Sequence, residues 1–534
     1  MIILKRFINF GKRSLIMGRI LVIGIDGGSF NIIESLIEKS LLPNFKRVID
    51  NGVKSYLEST IHPSSEQAWP SFYTGTNNGK HGIFGYLKRS RKNYSFNIVS
   101  RLDVNSNSIF KIASENDKKV IVIGMPLTYP VEKVNGYMIS GLFCPGKHVQ
   151  WTYPEDFKSE VDKISPDYIM DLSQCNVKTK EELVKKNLEC INGTGDLACK
   201  MLKDYEWDIF TVVFSSTDKI QHKFWRYHHK NGSKYKDVID ESYIEIDKYL
   251  GKFLDLVPKN TAVFIVSDHG FCKLEGGVVI NNILKDNGYM VTKKSKLSSK
   301  VFRKCAKFLF KIHKKVFGIR YKSILKRYFP KIGSKLASSL AYTDINWART
   351  KAFSVSAGNV CVNLKGREPE GCVSKEDYED VRSSIINTLK EIKDNGVAVF
   401  NGVYKREEVY DGDFLKEAPD IIVNFRDGYR GIMFGFGGNE HIIKSDDIFI
   451  ADNSGTHAQD GVFIVSGHAV KGSLKKKPRI IDVAPTILTL LGLKPTKEMD
   501  GVVLDIIGKK ILKKKTAYNK EKEIIKDIVK DLNL

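Results

Sequence analysis

Short apolar runs alternate along this chain with longer stretches whose apolar residues recur every three or four positions. The runs are Ile20–Ile25, Lys119–Ile123, Ile209–Phe214, Ala262–Val266 and Val462–Val465, none longer than six residues. Nearly continuous apolarity over so few positions predicts strands covered on both faces. Helical spacing predicts helices over Ser29–Glu38, Pro43–Asn51, Lys180–Asp204, Val238–Leu256 and Lys375–Asp394. Near the end, Ile480-Ile481-Asp482-Val483-Ala484-Pro485 reads as a helix start with an acidic cap and an early proline. The alternation predicts an α/β fold, a central mostly parallel sheet flanked by helices.

Two segments break the pattern. Between 293 and 340, Val301, Phe302, Phe308, Leu309, Ile312, Val316 and Phe317 recur at helical spacing among lysines, which predicts a basic helical insertion or cap. Residues 509–534 open on a lysine run and end as an amphipathic tail. The chain then divides into an extension 1–18, a first part of the core 19–292, the insertion 293–340, a second part of the core 341–508 and the tail 509–534. Met17 stands just before the first strand and is an alternative start to Met1.

Composition changes this picture mainly through charge. The net charge is +23, yet Lys293–Lys335 alone holds sixteen Lys or Arg and no Asp or Glu. A basic patch so localised points to an anionic substrate or an anionic membrane surface. No nucleic-acid-binding module accompanies it, so specific nucleic-acid contact is not expected. The eight cysteines (144, 175, 190, 199, 272, 305, 361, 372) form no CxxC pair, which fits free thiols in a reducing compartment. The N-terminus has no continuous apolar core with a cleavage site, and no window approaches the roughly 18 apolar residues of a membrane span. The expected location is cytoplasmic, with the insertion able to hold the chain at the inner membrane surface.

The candidate chemistry lies just after the apolar runs. Asp26 follows Ile20–Ile25, Asp218 and His222 follow Ile209–Phe214, and Asp268 and His269 follow Ala262–Val266. Ligands of open parallel sheets bind beyond the carboxyl ends of the strands, so these residues are expected on one edge of one sheet. Asp218 and His222 are four residues apart and share one face if a helix begins there. Ser65 in Pro63-Ser64-Ser65-Glu66-Gln67-Ala68-Trp69 and His457 in Ser454-Gly455-Thr456-His457 complete the set. Singly, an Asp-His pair is most often a cap or a surface feature; the alternative for Asp26 is a loop or helix cap before Gly27-Gly28-Ser29, and for His457 a solvent-facing turn. Three aspartates, three histidines and one hydroxyl in this order are the inventory of a two-metal phosphoryl-transfer site, with donors suited to zinc.

Five segments carry a resemblance: IGIDGGSF near the start, SSEQAWPSFYTGTNNGKHGIFGY at 64–86, STDKIQHKFWRY at 216–227, VSDHGF at 266–271 and SGTHAQDGVFIVSG at 454–467. Together with IIDVAPTILTLLGL and the following MDG, they resemble the alkaline phosphatase superfamily, and within it the type I phosphodiesterase/nucleotide pyrophosphatase family. The resemblance implies an alkaline-phosphatase-like fold and hydrolysis of a phosphate ester or a nucleotide. It implies two divalent metal ions, zinc first with manganese or iron as alternatives, about 4 Å apart. One would be held by Asp218, His222 and His457. The other would be held by Asp26, Asp268 and His269, with Ser65 bridging to it as the nucleophile of a phosphoseryl intermediate.

Ser65 is preferred to Ser64 because the related pattern sets the nucleophile four residues before the tryptophan, here Trp69. A helix opening at this segment would also turn its backbone N–H groups toward a phosphate. Where nucleotide pyrophosphatases follow His-Gly-Ile with an asparagine that bonds the phosphoryl oxygen, His81-Gly82-Ile83-Phe84-Gly85 leads here to Tyr86. The sulfatase signature is absent, because Glu66, Gln67 and Ala68 follow Ser65. Trp69, Phe84, Tyr86, Phe224 and Trp225 are candidates for stacking on a base or sugar, with core packing as the alternative. The same site could serve a phosphoryl or headgroup transferase with a lipid- or glycan-linked substrate, a phosphomonoesterase or a mutase.

Overall fold

The computed structural model describes residues 18–293, 345–355, 358–432, 440–446 and 453–508. The insertion beyond Lys293, the extension before Gly18 and the tail 509–534 lie outside the described residues.

The apolar runs form the centre of one eight-stranded sheet. Its strands are β1 (Arg19–Ile25), β2 (Gly52–Glu58), β3 (Val120–Met125), β4 (Gly136–Ser140), β5 (Thr152–Tyr153), β6 (Ile209–Phe214), β7 (Thr261–Val266) and β8 (Asp460–Gly467), in the order β2-β8-β7-β1-β6-β3-β4-β5. Five neighbours, β7, β1, β6, β3 and β4, run parallel. Strand β8 runs antiparallel between β2 and β7, and β5 runs antiparallel to β4. In register, Ile25 of β1 faces Phe214 of β6, and Gly24 faces Val266 of β7. The three central strands therefore end at one level, and whatever follows each of them meets there.

Alternate residues of β1 point to opposite faces. Leu21, Ile23 and Ile25 pack with α1 (Phe30–Glu38), α2 (Pro43–Asp50), α4 (Lys180–Asp204) and α6 (Val238–Leu256). Ile20 and Val22 pack on the other side with α3 (Ser65–Thr74) and α7 (Val483–Leu490). Both faces are covered, which is why these strands read as continuous apolar runs. Helix α4 starts where the Thr179 hydroxyl accepts the Glu182 N–H, and its Ile191, Thr194, Leu197, Ala198 and Met201 form the buried stripe.

A smaller antiparallel sheet of Ala352–Ser354, Val360–Val362, Ile421–Phe425 and Phe400–Lys405 carries its own core with the helix Tyr378–Lys390. Thr292 bridges to Ile345, and the Asn346 N–H bonds Val291 O at 2.8 Å, so the chain leaves and re-enters this region at one point. Among the described residues no helix is long and apolar enough to cross a membrane.

Candidate active site

The level ends of β1, β6 and β7 bring the predicted residues together. The Asp26 N–H donates to Phe214 O at 3.1 Å, and the Thr217 hydroxyl donates to Asp26 O at 2.6 Å, locking the end of β1 onto helix α5 (Ser216–Phe224). Gly27 turns the chain at φ +68° and gives its N–H to Asp268 Oδ1 at 3.1 Å. A Cβ there would lie 2.8 Å from the Phe271 ring, so the approach requires glycine. Helix α5 sets Asp218 and His222 one turn apart. His457 arrives on Gly455–Ala458, a strand paired antiparallel with Gly270–Lys273, where it stands opposite Phe271.

Ser65 is the first residue of α3, with Ser64 as its extended N-cap. The Ser65 hydroxyl donates to Asp26 Oδ1 at 3.1 Å and lies 3.4 Å from His269 Nε2. One turn further, the Trp69 indole N–H donates to the other oxygen of Asp26 at 3.2 Å. Gln67 and Ala68 both give their N–H to Ser64 O, the N-cap carbonyl.

The imidazoles share one arrangement. His222 Nδ1 faces Gly455 O at 2.8 Å, His457 Nδ1 faces Pro63 O at 2.7 Å and His269 Nδ1 faces Gly270 O at 3.0 Å. A carbonyl only accepts, so each Nδ1 carries the proton and each Nε2 turns a lone pair inward. Those lone pairs converge. His222 Nε2 and His457 Nε2 are 3.0 Å apart, and Asp218 Oδ1 lies 3.3 and 3.0 Å from them. His269 Nε2 lies 3.2 Å from Asp268 Oδ2 and 3.6 Å from Asp26 Oδ1. The His269 and His457 rings stack at 3.7 Å and join the two groups. Acceptors facing acceptors, together with a buried Asp268 Oδ2 that has no hydrogen-bond partner, fit a cation between them and are costly without one. Asp26, Asp268 and His269 form one group able to hold a metal ion, and Asp218, His457 and His269 another, with His222 beside it.

The charges tell the same story. Burial, reinforced by Asp268 and Asp218, pushes the Asp26 carboxyl well above the usual range. Burial pushes Asp268 up to about 7. Burial also holds His222 below, and His269 well below, an ordinary imidazole. Against burial, His222 and His457 keep Asp218 ionised, and the neighbouring Asp218 carboxylate raises His457. Left alone, the site takes up protons, and a dication supplies that charge instead.

The aromatic candidates divide. Trp69 and Phe224 are fully buried and cannot stack on a ligand. Trp225 lies over Phe271, Phe84 packs on Tyr410, and Tyr86 leans on Phe143; all three are half-buried. Sequence reasoning took Trp69 for packing or stacking and missed its bond to Asp26. Its place one helical turn after Ser65 was the available signal. His62 was also missed; its Nε2 lies 2.6 Å from Asn359 Oδ1. His228, His229 and Asp240 form a third group of possible ligands. There each imidazole Nε2 lies against an Asp240 oxygen, at 2.7 and 3.1 Å.

The model of the family described as type I phosphodiesterase / nucleotide pyrophosphatase matches residues 20–434. His457 lies beyond that span and is carried to the site by the pairing of its strand with Gly270–Lys273. Among solved structures, phosphonoacetate hydrolase from Sinorhizobium meliloti 1021 in complex with phosphonoacetate aligns with a TM-score of 0.54 at 15% identity, covering 89% of this chain and 96% of that one. Its complex with phosphonoformate aligns at 0.53 and 14%, with the same coverage. Human ectonucleotide pyrophosphatase / phosphodiesterase 5 aligns at 0.49 and 13%, covering 91% of this chain and all of that one. For the two phosphonoacetate hydrolase complexes, likeness at these identities is likeness of fold. No curated protein sequence matches the chain.

Proposed function

The chain belongs to the type I phosphodiesterase/nucleotide pyrophosphatase family of the alkaline phosphatase superfamily, and from that premise we propose that it cleaves a phosphodiester or phosphoanhydride through a phosphoseryl intermediate on Ser65. Its family makes it a hydrolase of phosphoric ester or phosphoanhydride bonds. The substrate class is a nucleotide or another small phosphate ester.

One observation carries the reading. The Ser65 hydroxyl opens a helix and lies within hydrogen-bond reach of both Asp26 and His269, beside a second cluster of Asp218, His222 and His457. Two divalent ions, zinc by the donor set, would be held by Asp26, Asp268 and His269 and by Asp218, His222 and His457, and would lower the pKa of the serine hydroxyl and offset charge on the phosphoryl oxygens. The residues do the remainder. Asp26 Oδ1 already accepts the Ser65 proton, so the oxygen can attack phosphorus as that proton leaves. A Ser65 Oγ–P bond forms while the bond to the leaving oxygen breaks, and that oxygen takes a proton from solvent. Water then forms the new O–P bond and releases a proton to solvent, while the Ser65 Oγ–P bond breaks and Oγ takes back a proton through Asp26. The Nδ1 anchors on Gly455, Pro63 and Gly270 hold the three imidazoles in one tautomer throughout.

The test is metal content and hydrolysis of bis-p-nitrophenyl phosphate, side by side, on wild type, Ser65→Ala and Ser64→Ala. The expected result is two metal equivalents in all three, with turnover reduced by about three orders of magnitude or more in Ser65→Ala alone. Activity surviving in Ser65→Ala but lost in Ser64→Ala would move the nucleophile. An absence of bound metal in active wild type would end the two-metal reading.

A further inference from the structure

The segment Ile61–Ser65, which leads into the proposed nucleophile, is gripped from outside the central sheet. His62 is buried, and its Nε2–H donates to Asn359 Oδ1 at 2.6 Å; Asn359 has no exposed surface. The Tyr410 hydroxyl donates to Ile61 O at 2.8 Å. The next carbonyl but one, on Pro63, receives His457 Nδ1–H at 2.7 Å. A continuous chain thus runs from the smaller sheet through Asn359, His62 and Pro63 to a ring whose Nε2 lies 3.0 Å from Asp218.

The same two anchors reach the loop after His81. The Asn359 amide faces Phe84 O at 3.5 Å, and the Tyr410 ring lies 5.4 Å from the Phe84 ring. Asn359 immediately precedes the strand Val360–Val362, and Tyr410 follows the strand Phe400–Lys405, so both report the position of one sheet. Buried polar atoms must be paired, and each of these pairings fixes a backbone position rather than a surface. Packing alone would fill this space with apolar side chains; it would not require a buried imidazole to donate to a buried amide.

We propose that the smaller sheet is a positioning element of the active site, acting through His62, Asn359 and Tyr410 to fix Ile61–Ser65, and that His62 is the positioning residue that sets Ser65 and the His457 ring relative to each other. This rests on the assignment of Ser65 and His457 made above. None of the three residues touches the reacting atoms, so their removal shows in the rate of the chemical step and in the hold on one metal, with substrate binding unchanged.

The experiment uses the full-length protein carrying His62→Ala, His62→Gln, Tyr410→Phe or Ser65→Ala. It reads kcat and KM for bis-p-nitrophenyl phosphate, the rate of metal loss to a chelator, and the thermal midpoint. His62→Ala is expected to lower kcat by about 10- to 100-fold, with KM within about threefold and faster loss of one metal equivalent. His62→Gln keeps a donor for Asn359 and is expected to recover most of the rate. Tyr410→Phe retains its ring, serves if His62→Ala does not fold, and is expected to lower kcat in the same sense. Wild-type kcat in His62→Ala or in Tyr410→Phe, with or without a lower thermal midpoint, overturns the proposal. A dead Ser65→Ala beside a normal His62→Ala removes only the clamp, whereas an active Ser65→Ala removes the reading beneath it.

Discussion

Asp26 receives two donors from one helix, and the donors have different work. The Ser65 hydroxyl on Oδ1 is the group proposed to react, whereas the Trp69 indole N–H on Oδ2 aims the carboxylate and cannot leave. The indole is wholly buried among Phe72 and the apolar residues beneath β1, so its N–H has no route to water. Trp69→Phe keeps most of that packing and deletes one bond. A buried carboxylate oxygen left without a donor costs about 1–3 kcal/mol, so the metal-stripped variant is expected to unfold in urea with a stability lower by that amount. Turnover should fall by about tenfold or more, as for partners that orient a metal ligand. Equal stability and rate in the two proteins would show that Oδ2 needs no such partner.

The smaller sheet is held at the element scale by one carboxylate. Asp420 has no exposed surface and accepts from both Arg367 Nη atoms, from the Tyr378 hydroxyl and from the Val362 N–H, at 2.6–2.7 Å, with Arg406 3.3 Å away. These partners come from a strand, a loop and two helices, so Asp420 fastens the element that presents Asn359. Against burial, Arg367 and then Arg406 hold its carboxyl below the usual range. A carboxyl with a depressed folded pKa contributes stability that is complete above the unfolded value near 4 and is lost as pH falls through the folded value. Asp420→Ala is therefore expected to cost about 3–5 kcal/mol in urea at neutral pH. The difference from wild type should shrink as pH drops below about 4. A cost that stays constant down to pH 2 would mean the charge is not what Asp420 supplies.

This sheet also shows where sequence reading stopped. The central strands and helices were legible because both faces of the sheet are covered and the amphipathic period is long; β6 was placed to the residue, and β1 and β7 to within one. The convergence of the candidate residues was legible because parallel strands in register end at one level, so position along the chain translated into position in space. Strands such as Ala352–Ser354 and Val360–Val362 are three residues long, too short for any period to show. Asn359 and Tyr410 meet the nucleophile segment across about 300 or more residues of chain. Nothing local in His62-Pro63-Ser64-Ser65 announces such a partner. Within the site, the Nδ1 anchors escaped notice because they are backbone carbonyls, which carry no residue signature.

At the scale of the whole molecule, one polycationic segment interrupts an enzyme whose other charges nearly balance. Residues 295–338 hold fourteen Lys or Arg and no Asp or Glu. The chain departs and returns at one place, since Thr292 bridges Ile345 and the Asn346 N–H bonds Val291 O. A short Gly/Ser linker in place of 295–338 would join the chain at that one place, and the candidate site residues lie outside the segment. The excised protein is expected to keep two metal equivalents, its thermal midpoint and its turnover of bis-p-nitrophenyl phosphate. What should change is attachment to charge. Each basic residue near an anionic bilayer contributes about 1 kcal/mol, and apolar residues at helical spacing add burial at the interface. Full-length protein is expected to sediment with phosphatidylserine-containing vesicles, to be released as ionic strength rises, and to ignore phosphatidylcholine vesicles. The excised protein should stay in the supernatant throughout. Equal sedimentation of the two would leave the segment without a membrane role, and loss of both metals on excision would make it part of the site's support.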